Sequence, residues 1–408
     1  MAIAFIGYTS TFAAVLAGLR AAGATPAQAT SGLVALCLSL GLGSLWLSRR
    51  NRMPITAAWS TPGAAVLASA GQVAGGWPAA VGGFVVAGLL VVLTGFWPRL
   101  GALVAAIPAP IAQAMLAGVL LELCLVPVQA LASHPWEVVP ILATWLIAVV
   151  TAPRWAVLAA FGATVVVVGV LAARGDGLHG PWLPGLSLTV PHLSWAAIAG
   201  IALPLYVVTM AAQNVPGVAI MSSFGYRVPW RAAMAVTGAG SVLAAPFGGH
   251  AVNLAAISAA LPASPEAHPD PARRWPASQA FGVTYLGLAA GTTALTSFLA
   301  VAPADVVGTV AGLGLLGSLG HALTAAVVGS GGPAASGGGS AATATAGAGS
   351  PADRTAATVT FVVAASGTTL AGVSSAFWAL VAGLLVRLAV TASLRGAVAE
   401  PVVEDEPA

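Results

Sequence analysis

Charge is the scarcest commodity in this 408-residue chain: 6% of its residues are Asp, Glu, Lys or Arg, and every one of the fourteen basic residues is arginine. A soluble domain of ordinary composition carries about a quarter charged residues, so a water-facing globular protein is excluded. Cysteine is almost missing. Cys37 and Cys124 both fall inside apolar segments, where a thiol packs as a small hydrophobe, and no disulfide framework is expected. Catalytic signatures are lacking as well: the chain has no phosphate-binding loop, no Cys or His pair at metal spacing, and no acidic pair placed for catalysis. The sequence therefore offers no enzyme, no cofactor and no metal.

What it has instead is apolar length. Hydrophobic residues make up 58% of the chain, and they recur along nearly all of it. A bilayer-crossing helix takes roughly 20 apolar residues, and the chain divides into about fourteen such segments. These are 3 to 21, 27 to 47, 53 to 70, 78 to 97, 107 to 128, 136 to 152, 155 to 173, 195 to 214, 231 to 247, 249 to 261, 277 to 300, 303 to 328, 355 to 371 and 374 to 392. The opening MAIAFIGYTSTFAAVLAGL lacks a basic start and runs straight into further spans, so it reads as span 1 rather than as a signal peptide. The fold class is an all-α polytopic membrane protein.

Arginine orients it. Arg49, Arg50 and Arg52 follow span 2, Arg99 follows span 4, Arg154 span 6, Arg227 and Arg231 span 8, Arg273 and Arg274 span 10, and Arg354 precedes span 13. The opposite connections hold only Arg20 and Arg174. The positive-inside rule then puts the even-to-odd connections and both termini in the cytoplasm. The net charge of +3 is topology and implies no nucleic-acid partner; the partner is the lipid bilayer.

The polar stretch from Arg174 to His192 splits the spans seven and seven. Weak echoes relate the halves: Ile107-Pro108 leads to Ala117-Gly118 in span 5 as Ala302-Pro303 leads to Ala311-Gly312 in span 12. Spans 3 and 10 are both short and interrupted, by Pro54, Pro62 and Gly63 and by Pro246, Gly248 and Gly249. Seven is odd, so the second copy enters from the other side, and broken helices at equivalent places in an inverted repeat point to a midplane site. Residues 329 to 352 form a Gly/Ser/Ala-rich linker, and the acidic tail from Glu400 to Glu406 is a solvated end.

In span 3, Ser60 or Thr61 suits a helix N-cap and Pro62 the first turn. A helix would then start within the membrane, its free N–H groups and positive dipole end facing the midplane. Span 10 is expected to mirror this at Gly248, Gly249 and His250, with His250 and Asn253 on one face of a half-helix. Two opposed helix starts make an anion site; two kinked helices accommodated by their neighbours are the alternative. His250 reads either as a proton carrier or as a structural hydrogen-bonder. Tyr206, Thr209, Gln213 and Asn214 in span 8 read either as site residues or as interhelical hydrogen bonds. Glu122 and His321 are further proton-coupling candidates, Glu122 being near enough to a helix end to reach the interface.

These strings resemble the BenE-type benzoate:proton symporter family. The carriers of the likeness are PITAAWSTPGAA from Pro54, IAQAMLAGVLL from Ile111, PLYVVTMAAQNVPG from Pro204, APFGGHAVNLAAI from Ala245, PEAHPD from Pro265 with Arg273-Arg274-Trp275, and ASGTTLAGVSSAFWALVAG from Ala365. The resemblance implies a 7+7 inverted repeat, the uracil permease-like fold. It implies a core domain of residues 1–98 and 174–301, a gate domain of 99–173 and 302–395, often at a dimer interface so that a homodimer is allowed, and a cytoplasmic tail at 396–408. It implies import of benzoate or a similar small aromatic carboxylate with protons, across the cytoplasmic membrane of a bacterium, by movement of core against gate. The carboxylate would meet Ser60, Thr61, Gly249 and His250, and the ring Tyr8, Trp59, Tyr206 and Phe247. Gln213-Asn214 stands where nucleobase carriers of this fold place a Glu, which argues against nucleobase transport; a nucleobase-type permease and a passive anion exchanger or channel stand as alternatives.

Overall fold

The computed structural model describes residues 2–175, 177, 180–328 and 350–398. The linker from 329 to 349 and the acidic tail lie outside the described residues. The helices are α1 (Ala2–Ala21), α2 (Pro26–Asn51), α3 (Thr61–Ala70), α4 (Gly76–Phe96), α5 (Ala109–Ser133), α6 (Pro135–Thr151) and α7 (Ala156–Arg174), with an exposed eight-residue helix at Pro98–Ala105. Then follow α8 (Trp195–Ser223), α9 (Trp230–Ala244), the short α10 (Ala260–Ala263), α11 (Trp275–Leu299), α12 (Ala304–Val328), α13 (Pro351–Ala365) and α14 (Ser375–Val398). Two three-residue strands, β1 (Ala57–Trp59) and β2 (Val252–Leu254), pair antiparallel.

Eight helices among the described residues are long and apolar enough to cross a bilayer: α1, α2, α4, α5, the stretch Pro153–Arg174, α8, α12 and α14. The other segments expected to span are shorter or more polar. The ten residues of α3 are enclosed by longer helices, so the lipid-facing demand for length does not apply to them, and the four of α10 are too few to cross a bilayer.

Local sequence explains the boundaries. Thr25 and Gln28 cap α2 reciprocally, with Pro26 in its first turn and Arg49 and Arg50 in its last. α8 is one rod with two π-helical turns, at Ile198–Ala202 and Met210–Asn214. Pro204 and Pro216 each remove a donor from the ladder. The carbonyl of Gly200, four residues before Pro204, accepts instead from Ser374 Oγ at 2.6 Å.

Packing is pairwise. α2 lies along α11, α4 along α9, α5 along α12 and α13, and α13 along α14. Glycines allow the close approach: a Cβ on Gly282 would stand 2.7 Å from the Gly41 carbonyl oxygen, and one on Gly238 would stand 2.9 Å from that of Gly88. Cys37 and Cys124 are buried free thiols.

Candidate functional site

The site is built where two broken segments cross. Extended residues Ala57, Ala58 and Trp59 face Leu254, Asn253 and Val252, and the ladder continues as Ser60 N–H donates to Ala251 O at 3.0 Å and Ala255 N–H to Thr56 O at 3.0 Å. Each strand borrows a serine from a neighbouring helix: Ser44 Oγ of α2 accepts from Ala57 N–H, and Ser241 Oγ of α9 accepts from Val252 N–H, both at 2.8 Å. In sequence both serines read as ordinary small residues of apolar spans, and no signal marked them.

After β1 the chain turns at once into α3. Ser60 is its N-cap, its Oγ accepting from Gly63 N–H at 3.0 Å and lying 2.9 Å from Thr209 Oγ1. Of the first-turn positions of α3, Pro62 has no N–H and Gly63 N–H is held by Ser60, which leaves the Thr61 N–H without an intrahelical acceptor, and the positive end of the dipole lies here. The mirror segment departs from expectation. Gly248, at φ 94, ends a 3-10 turn at Ala245–Phe247, and strand pairing then holds the chain extended. Helical structure resumes only at Ile257–Ala263, so His250 and Asn253 stand on extended chain, not on one face of a half-helix. The second start is at Ala256–Ser258 and not at Gly249-His250.

A cavity of about 330 Å³ opens between these two starts. Trp59, Thr61 and Pro62 line it from the first break, and Ala255, Ala256 and Ser258 from the second. Ser10 and Thr11 of α1, Gln213 of α8 and Tyr285 of α11 complete that side, and Leu120 of α5 with Gly314, Leu315 and Ser318 of α12 face them. Trp59 and Tyr285 meet edge to face, centroids 5.7 Å apart, and Trp59 Nε1–H donates to Thr11 Oγ1 at 2.8 Å. Among the described residues no Asp, Glu, Arg or His lines this cavity. It is a neutral, partly aromatic chamber at the small end of the range for ligand pockets.

Of the residues expected at the site, Trp59, Thr61 and Gln213 reach the cavity wall. Ser60, Thr209, Asn214, His250 and Asn253 lie behind it as a buried network. His250 Nε2–H donates to Ser60 O at 2.8 Å, while its Nδ1 is buried without a partner. Asn214 Oδ1 accepts from Leu254 N–H at 2.8 Å. The Asn253 amide lies 3.1 Å from Ser60 N and 2.8 Å from Leu254 O, which its carbonyl and amino groups satisfy respectively. The π turn lets Gln213 face the chamber while the next residue, Asn214, faces β2.

The rest are elsewhere. Tyr8 stacks behind Trp59 at 5.6 Å and bonds Thr292 Oγ1 at 2.9 Å, and Tyr206 bonds Thr94. Phe247 lines a separate, apolar cleft between α2 and α9. Gly248 and Gly249 pack on backbone, against Gln28 and Gly32 and against Ala244. Glu122 and His321 are exposed on α5 and α12, neither on the cavity wall. Sequence reasoning missed Ser10, Thr11, Ser258, Tyr285 and Ser318; the Ser10-Thr11 pair inside an apolar span was the one available signal.

With this geometry in place, comparison with known proteins is decisive. The profile of the BenE family, described as Benzoate membrane transport protein, matches residues 1–389. The chain belongs to this family. It is 38% identical over 383 residues to the inner membrane protein YdcO of Escherichia coli K12, covering 93% of this chain and 91% of that one. It is 28% identical over 367 residues to the benzoate membrane transport protein of Acinetobacter baylyi ADP1, covering 87% and 84%. The family and the Acinetobacter relative are membrane transport proteins, not enzymes. The fold recurs in the transmembrane domain of the cyanobacterial bicarbonate transporter BicA, with TM-score 0.54 at 16% identity over 92% of this chain and 97% of that one. It recurs also in SLC26A9, with TM-score 0.60 at 14% identity over 96% of this chain, which spans 65% of that longer protein.

Proposed function

We propose that this family member is a secondary transporter that imports benzoate, or a similar small aromatic carboxylate, together with protons. The observation that carries the reading is the neutral aromatic cavity placed at the start of α3. A carboxylate seated there accepts from the Thr61 N–H, the first-turn donor left open once Gly63 is capped by Ser60, and gains from the helix dipole. Its ring meets Trp59, Tyr285, Leu120 and Leu315. The family match and the named benzoate transporter among the relatives support the substrate.

Movement follows from how the walls divide. α1–α4 with α8–α11 form the proposed core, and α5–α7 with α12–α14 the gate. The cavity lies on their boundary, so sliding one group past the other would expose it alternately to the two sides. Packing supports the 7+7 inverted repeat: exchanging helices seven apart turns the α2–α11 pair into α9–α4, and Ser44 on β1 into Ser241 on β2. Cytoplasmic termini and a homodimer through the gate belong to the same proposal.

Proton coupling is assigned to His250, whose Nδ1 is the one buried imidazole atom without a partner behind the site. Glu122 and His321 stand away from the cavity. The test is uptake into proteoliposomes: labelled benzoate should accumulate when the outside is acidified, and folded protein that accumulates none would overturn the assignment. The absence of a carboxylate from the cavity wall favours, as a second reading, anion exchange without protons. Uptake that ignores the pH gradient but follows a counter-anion would establish that reading instead.

A further inference from the structure

A second cavity, of about 500 Å³, opens at the far end of α1, opposite the arginine-rich connection at Arg49 to Arg52. Its floor is the last turn of α1 with Arg20, the first turn of α2 with Thr30, and the end of α11 with Thr293, Thr296 and Ser297. The segment from Gly180 to Ser187 roofs it, pinned by Ser297 Oγ–H donating to Pro181 O at 2.6 Å and Ser187 N–H donating to Ser31 Oγ at 2.9 Å.

The polar groups in this chamber are unevenly satisfied. Ser297 is committed to Pro181 O, Thr30 to Pro26 O at 2.9 Å, and Thr296 to Thr293 O at 2.9 Å. Two donors are left over. Arg20 Nε is buried with no hydrogen-bond partner, and so is Thr293 Oγ1. Arg20 makes no ion pair among the described residues, and no carboxylate among them lines the chamber. The negative end of α1 explains why a cation sits in its last turn. It does not explain a guanidinium edge withdrawn from water in the same chamber as a hydroxyl that also lacks an acceptor, since each buried donor left unmatched is destabilising. A group that only accepts, and carries negative charge, matches both.

We propose that the Arg20 chamber is a second binding site for a small carboxylate, held by Arg20 and Thr293 and occupied before the molecule reaches the cavity at Trp59. That order rests on the transport reading and its orientation, which make this the outer end. The two chambers share a seam. On α1 the step from Thr11 to Arg20 is nine residues and on α11 the step from Tyr285 to Thr293 is eight, about 12–14 Å at 1.5 Å per residue. Tyr8 and Thr292 join the same two helices across that seam.

Equilibrium binding of radiolabelled benzoate to the purified full-length protein tests this, titrated into the millimolar range. Wild type should bind two molecules per chain. Arg20→Gln should bind one, Arg20→Lys should retain the second at weaker affinity, and Thr293→Val should weaken the second about tenfold. Size-exclusion behaviour and the retained first site show that the variants are folded. One molecule bound in wild type and kept in Arg20→Gln overturns the inference and leaves the transport reading standing. One molecule bound in wild type and lost in Arg20→Gln supports the Arg20 site and removes the Trp59 cavity as the benzoate site. No binding by wild type overturns both.

Discussion

Ser60→Ala is the substitution that separates a helix-start anion site from a merely aromatic pocket. The Ser60 hydroxyl caps α3 through Gly63 N–H and meets Thr209, and it is fully buried. Replacing an N-cap serine with alanine costs about 1 kcal/mol, and a buried hydroxyl that loses its partner costs about 1 kcal/mol more. Folding stability should thus fall by about 2 kcal/mol. Binding should also weaken, because an unpinned first turn no longer holds the Thr61 N–H and the helix start toward the cavity. A charge at a helix N-terminus gains about 0.3–1 kcal/mol, and up to about 2 when partly buried. The expected loss is therefore about twofold to thirtyfold in benzoate affinity, the same at pH 6, 7 and 8. Thr209→Val is the control: it removes the same hydroxyl pair and keeps the cap, so it should lose about 1 kcal/mol of stability with much less change in affinity. Thermal unfolding and benzoate binding on both variants decide the matter. If Ser60→Ala and Thr209→Val weaken binding equally, or Ser60→Ala not at all, the α3 start is not the carboxylate site.

Three further outcomes are expected. His250→Gln keeps a donor for Ser60 O, so the fold should survive; if His250 takes the coupled proton, the pH dependence of uptake seen in wild type should become flat in the variant, a profile read from initial rates across the acid and neutral range. Gln213→Glu puts a carboxylate on the cavity wall and should cut benzoate uptake at least tenfold at pH 7 through like-charge repulsion, measured against unchanged protein yield. Gly314→Ala places a methyl group against the Ser10 carbonyl, where α12 meets α1 at the cavity wall, and should both slow transport and weaken benzoate binding, which paired uptake and binding assays resolve.

The polar residues that interrupt apolar runs pointed to the candidate site, because burying Pro, Gly, His and Asn at membrane depth demands a structural reason. Ser60 was readable as a cap from the Ser-Thr-Pro-Gly order alone, since each of those residue types has one favoured place in a helix start. The mirror segment resisted the same logic. Nothing local says that Ala251 to Ala255 must be extended; that is imposed by pairing with β1 and by Ser241, which stands eleven residues before Val252. The half-helix expected around His250 therefore lost to a two-stranded ladder whose other strand is almost 200 residues away in sequence. The consequence is functional. In a ladder, His250, Asn253 and Ser60 share one network, so on the proposed coupling a proton taken up by His250 would act on the α3 cap through the Ser60 carbonyl that it already holds. Coupling through that carbonyl needs no contact between imidazole and substrate, and the pH profile of His250→Gln can change while the cavity wall stays intact.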